Sequence, residues 1–225
     1  MSAAQDTLAL PSGPTLRADI ERVDSATVAR ARALPAATLH EAAGRIGVMP
    51  SAIKPVAPGM RLCGPAVTVQ SPGGDNLWLH RAIYLAQPGD VLVVHVSDQH
   101  DFGYWGEIMS AAAHARQLGG LVIDGCVRDG AVLADFGLPV FARGLCIRGT
   151  GKDFGARGWI NFPVLFGDLC VNAGDLVVGD TDGVVVLPRE RAEALVEAAE
   201  AREAKEAAIV ERIRAGERTL EVYNF

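Results

Sequence analysis

Hydrophobic residues along this chain follow two spacings that alternate in sequence. Short apolar runs rich in β-branched residues, "GPAVTVQ", "DVLVVHV", "GLVIDG" and "PVFARG", are bounded by Gly, Pro or Asp and predict strands. Between them lie stretches with apolar residues three and four apart, the helical period. "DSATVARARAL" opens on a capping residue and stops before Pro35, and "AATLHEAAG" ends on a glycine. "DNLWLHRAIYLAQPG" predicts a helix from Asp75 or Asn76 to about Gln87, and "GEIMSAAAHARQLGG" predicts another, closed by Gly119 and Gly120.

A turn of the form x-Gly-Asp precedes a valine-rich strand twice, in "PGDVLVV" and "AGDLVVGDTDGVVVLP". The second run continues through "DTDG" into another strand and predicts a β-hairpin. Asp180 and Asp182 lack the ligand series and distal Glu of a calcium loop, so they read as turn residues. From Pro188 to about Ala215 the chain predicts one long Ala/Glu/Arg helix. No linker or repeat divides it. The expectation is one α/β domain over 20–225 behind an N-terminal tail or arm at 1–19, with the C-terminal helix at 188–215.

The formal net charge is −6 and the basic residues are scattered, which argues against nucleic acid as a partner. No stretch approaches the roughly 20 consecutive apolar residues of a membrane helix, and the N-terminus lacks the pattern of a secretory signal. Cys63, Cys126, Cys146 and Cys170 are far apart and sit in apolar, strand-like contexts. They are expected to be reduced core thiols of a cytoplasmic protein.

The candidate chemistry begins at Gly106. A helix starting there leaves the amides of Glu107, Ile108 and Met109 without intrahelical partners, and with the helix dipole they suit a small anion such as a carboxylate. Glu107 also reads as an ordinary acidic first-turn residue. The following strand, "GLVIDGCVRDG", delivers Arg128 and Asp129. In an α/β layer the N-terminus of a helix and the C-terminal end of the next strand reach the same sheet edge, where ligands bind. Glu107, Arg128 and Asp129 are therefore expected to converge. The Arg-Asp pair also reads as a surface salt bridge; an Arg for an oxyanion beside a carboxylate for a hard cation is the sharper reading.

On the last helix, steps of three and four from Leu195 reach Ala199, Arg202, Glu206, Ile209 and Ile213. Arg202 and Glu206 interrupt this apolar stripe, so the helix either leaves its own domain there or contacts another subunit's polar site. Glu203 lies off the stripe and reads as solvated. His40 and His80 read as packing histidines, and Ser25, Ser71 and Ser110 lack a nucleophile elbow. "GTGKDFGARG" lacks the Walker spacing and is rejected as a phosphate loop. No glycine-rich nucleotide loop follows the first strand, so a methyltransferase is unsupported.

The segment "GYWGEIMSAAAHARQLGGLVIDGCVRD" resembles the hydroxymethyl-oxoglutarate / carboxy-hydroxy-oxoadipate aldolases, divalent-metal pyruvate aldolases related to the regulator of ribonuclease E activity. An acidic residue, a gap of twenty residues and Arg-Asp is the shared pattern, met by Glu107 and Arg128-Asp129. "TLHEAAGR", "GDNLWLHRAI", "QPGDVLVV" and "GDTDGVVVLP" extend the similarity over about 20–215.

The resemblance implies an α/β/β/α sandwich of the swivelling-domain type, assembled as trimers or hexamers with shared active sites. It makes Asp129 the ligand of Mg2+ or Mn2+ and turns Arg128 to the keto oxygen. The Gly106 helix start would bind the substrate carboxylate through Ile108 and Met109. Glu107 would hold metal-bound water, and Glu206 of a neighbouring subunit would complete the water shell. The implied activity is retro-aldol cleavage of a 4-hydroxy-4-substituted-2-oxo di- or tricarboxylic acid to pyruvate and a second keto acid, with oxaloacetate decarboxylation. The alternative is a non-catalytic regulator that binds a ribonuclease. This chain departs from the characterised aldolases in having Glu107 for aspartate and a short C-terminal "RTLEVYNF".

Overall fold

The strand Leu62–Gln70 sits at the centre of the computed structural model, which describes residues 15–225. It pairs in parallel with Val91–His95 and antiparallel with Leu176–Asp180. On the first side the sheet continues in parallel through Gly120–Ile123 and Val140–Ala142 and ends at Lys54–Pro55. On the other it ends with the predicted hairpin of Leu176–Asp180 and Gly183–Leu187. Lys54 Nζ donates to the Asp182 carbonyl, so the two outer strands nearly meet and the sheet nearly closes.

Closure explains why these strands read as unbroken apolar runs: both faces are covered. Val91 and Val93 point into the interior with Val122, Val177, Val184 and Phe141. Leu92 and Val94, one residue out of phase, pack with Leu121 and Ile123 against the helices Leu77–Leu85 and Glu107–Ala115. Val178, Val185 and Leu187 pack outward against the helices Ser25–Ala31, Ala36–Ala42 and Ala192–Arg214. The layers are therefore α/β/β/α, as the resemblance implied.

The first helix begins where its signals placed it: Asp24 accepts from the amide and hydroxyl of Thr27. The helix Glu107–Ala115 ends short of the glycines because Gln117 takes a left-handed conformation, φ 57°. The long helix starts at Ala192, behind a 3₁₀ turn at Arg189–Arg191.

Several expectations need correction. Of the expected tail, 1–14 lies outside the described residues, and Leu16 already bridges Ile160. Cys63 and Cys126 are buried, but Cys170 is exposed. It stands opposite Leu165 in the small hairpin Val164–Phe166/Leu169–Val171, whose other face, with Val164, Phe166 and Val171, fills the interior. Glu203 is not simply solvated, since its Oε1 accepts from Thr38 Oγ1 at 2.5 Å.

The long helix does leave its domain. Leu195, Val196 and Ala199 are buried, whereas Val210 and Ile213 are 43% and 37% exposed. At the point of departure Arg202 Nε approaches Glu206 Oε1 at 2.8 Å as a charge contact without hydrogen-bond alignment. Arg202 also lies 3.8 Å from Glu41. Within one chain, then, Glu206 faces Arg202.

Candidate active site

One parallel crossover, from Val91–His95 through the helix Glu107–Ala115 to Gly120–Ile123, brings Glu107, Arg128 and Asp129 to one sheet edge. After Ile123 the chain forms a two-residue strand, Cys126–Val127, paired with Gly144–Leu145. The Arg128 amide donates to the Trp105 carbonyl at 2.8 Å, and this bond seats the Arg-Asp pair against the start of the Glu107–Ala115 helix. Asp129 adopts a left-handed conformation, φ 61°, which Asp tolerates better than most residues and which costs energy elsewhere in a fold. That turn aims its carboxylate at the helix: Oδ2 accepts from the Glu107 amide at 3.0 Å. Arg128 Nε is 3.8 Å from the same oxygen.

The two glycines of "DFGYWGE" make room for this packing. A Cβ at Gly106 would overlap Asp129 Oδ2 and crowd Arg128, and one at Gly103 would overlap the Cys146 carbonyl and press on the Arg128 side chain. The three expected residues therefore do converge, with one difference. The Glu107 amide is occupied by Asp129, so the first-turn amides left without a partner are those of Ile108 and Met109.

These groups line a cleft of about 320 Å³, among them Gly103 to Met109 and Arg128-Asp129. Asn76, His80, Thr150 and Lys152 line it as well, and sequence reasoning missed all four. Asn76 and His80 had a signal: four residues apart, they share a helix face. Asn76 Nδ2 donates to the Tyr104 carbonyl at 2.9 Å, which fixes the amide so that its buried Oδ1 has no partner. His80 is half-buried; burial first, and the positive charge of Lys152 second, push its pKa below the ordinary 6.5. "GTGKD" is still no phosphate loop, but it forms part of the cleft wall.

The cleft lining offers the carboxylate oxygens of Asp129 and Glu107, with the imidazole of His80 and the hydroxyl of Thr150 also on its walls. The two carboxylates fit a hard divalent cation that keeps most of its water. Glu206 has no place in this cleft within the single chain. A separate group, His95, Asp98 and Asp124, brings ligand atoms within 4.8 Å of one another. Its buried member already pairs with a cation, Asp124 Oδ1 to Arg143 Nε at 2.5 Å, so it is the poorer cation site.

Comparisons with known proteins bear on the family and the fold. A protein of Halalkalibacterium halodurans named "Putative 4-hydroxy-4-methyl-2-oxoglutarate aldolase" is 34% identical over 188 residues, covering 82% of this chain and 89% of the relative. A solved structure of an uncharacterised protein from Pseudomonas syringae superposes with a TM-score of 0.78 at 30% identity, covering 89% of this chain and 93% of the other. Streptomyces coelicolor RraAS2, described as an unusual member of the RNase ES inhibitor RraA family, superposes with a TM-score of 0.73 at 27% identity, over 84% of this chain and 98% of its own. Among the described residues, no helix is long and apolar enough to cross a membrane. The family model described as "RraA-like: Aldolase/RraA" matches residues 25–186, and the chain belongs to that family.

Proposed function

We propose that this protein is a divalent-metal-dependent lyase of 2-oxo acids. Its reaction is retro-aldol cleavage of a 4-hydroxy-2-oxo acid of the 4-hydroxy-4-methyl-2-oxoglutarate or 4-carboxy-4-hydroxy-2-oxoadipate type, and the same site decarboxylates oxaloacetate. The observation that carries the reading is the convergence of Arg128, Asp129 and the free amides of Ile108 and Met109 on one cleft.

In this reading the amides of Ile108 and Met109 take the C1 carboxylate, using the positive end of the helix. Asp129 would hold Mg2+ or Mn2+, which when bound polarises the 2-oxo group. Arg128 faces the C2 oxygen and stabilises the negative charge that develops there. The C4 hydroxyl gives up its proton, C4–O becomes a carbonyl, and the C3–C4 bond breaks with its electron pair passing toward C2–O. Protonation at C3 then releases pyruvate. Glu107 orients the water that accepts the C4 hydroxyl proton, and Glu206 of a neighbouring subunit shares that role in a trimer or hexamer. In oxaloacetate the same electron flow expels carbon dioxide.

The similarity to an RNase ES inhibitor relative keeps a second reading in view, a regulator that binds a ribonuclease and does no chemistry. A binding surface has no need of a glycine at 106 to accommodate Asp129. Pyruvate release from a panel of 4-hydroxy-2-oxo acids, with and without EDTA, separates the two. Metal-dependent release supports the lyase, and its absence across the panel removes it.

A further inference from the structure

The cleft has a second charged end. Lys152, exposed at its wall, has no ion pair and donates no hydrogen bond among the described residues. Its backbone is nonetheless held in place. Gly151 N donates to the Gly74 carbonyl at 2.7 Å, and Asp153 N donates to Asp75 Oδ2 at 2.5 Å. The other Asp75 oxygen accepts from Leu77 N at 2.8 Å, at the start of the helix that carries His80. Asp75 is 5% exposed, so one buried carboxylate ties the Lys152 loop to that helix. Both Asp75 oxygens face amides, not the ammonium.

A lysine set on a tethered loop over a cleft, beside a half-buried His80 and a Thr150 hydroxyl, suits an anion that arrives from outside. The same cleft already provides for one carboxylate, at the Ile108 and Met109 amides and Arg128. It also bears Glu107 and Asp129, which would repel a second carboxylate left without a cation of its own. We propose that Lys152, with His80 and Thr150 beside it, is the specificity-determining contact for the second carboxylate of a 2-oxo dicarboxylic acid. This rests on reading the cleft as a 2-oxo acid site.

Calorimetric titration of the Mg2+-loaded protein with 2-oxoglutarate and with 2-oxopentanoate tests it, because the two acids differ in one carboxylate for one methyl. The wild type should bind 2-oxoglutarate about tenfold more tightly. Lys152→Met should abolish that preference and leave 2-oxopentanoate binding unchanged, while Lys152→Arg should retain most of it. Equal binding of both acids by the wild type, or a preference that survives in Lys152→Met, overturns the assignment of Lys152 alone. If neither acid binds, the 2-oxo acid reading of the cleft falls and takes this inference with it. A Lys152-dependent preference in a protein that releases no pyruvate would uphold the subsite and defeat only the cleavage reaction.

Discussion

Asp129 Oδ2 accepts the backbone amide of Glu107 at 3.0 Å, across 22 residues of chain. The bond joins the end of a strand to the start of the helix that precedes that strand, so the carboxylate proposed for the metal and the amides proposed for the substrate move as one unit. Gly106 is the point where this unit has no slack.

Gly106→Ala should therefore disable the site without unfolding the protein. Its backbone is extended, φ −161°, so alanine is allowed there, and the only obstacle is the overlap with Asp129 Oδ2 and Arg128. Pyruvate release should fall by about a hundredfold, and Tm by no more than a few degrees, since the displaced groups are half-exposed. A variant with near-normal kcat/KM would show that Asp129 does not need this position.

Replacing Arg128 by Lys keeps the charge but removes the planar fork. We expect kcat to fall by at least about tenfold for both cleavage and decarboxylation, with Mg2+ affinity near normal. An unchanged kcat in both reactions would remove Arg128 from the chemistry.

His80 offers a test that needs no turnover. Burial and then Lys152 lower its pKa below 6.5, so the folded state binds this proton less well than the unfolded chain does. This contribution to stability is complete above about pH 6.5 and declines as the pH falls toward the folded pKa. His80→Gln should lessen the loss of stability between about pH 7 and about pH 5. In an NMR titration, Lys152→Met should raise the His80 pKa. A shift of zero would place Lys152 too far away to act on the same ligand.

Much of this site was legible in the sequence, because the logic of a parallel crossover alone puts Glu107 and Arg128-Asp129 at one edge. The strands were legible as well, since a nearly closed sheet covers both faces and leaves continuous apolar runs. Lys152 and Thr150 were not. Their loop is tied through the buried Asp75, a contact between residues 78 apart that no local pattern encodes. His80 read as a packing residue because half of it is one. Cys170 read as core because the exposed face of its short hairpin carries Leu165, an apolar residue like those inside.

The long helix supports a prediction about assembly. Beyond Glu203 it runs out of its own domain with Val210 and Ile213 exposed, and among the described residues Glu206 pairs with Arg202 alone. If Glu206 serves a neighbour's cleft, mixing Asp129→Ala with Glu206→Ala protein under subunit exchange should restore part of the lost activity. Recovery requires interfaces that pair an intact Asp129 with an intact Glu206. Failure to recover despite demonstrated exchange, or an active monomer, would confine Glu206 to its own chain.

The most direct test is pyruvate release from 4-hydroxy-4-methyl-2-oxoglutarate by the purified wild type and by Asp129→Ala, each in Mg2+, in Mn2+ and in EDTA. The wild type should release pyruvate with either metal, lose that release in EDTA and recover it when metal is restored, and a folded Asp129→Ala protein should release none above background in any condition. Full metal-dependent turnover by Asp129→Ala, or wild-type release that EDTA leaves untouched, would contradict it.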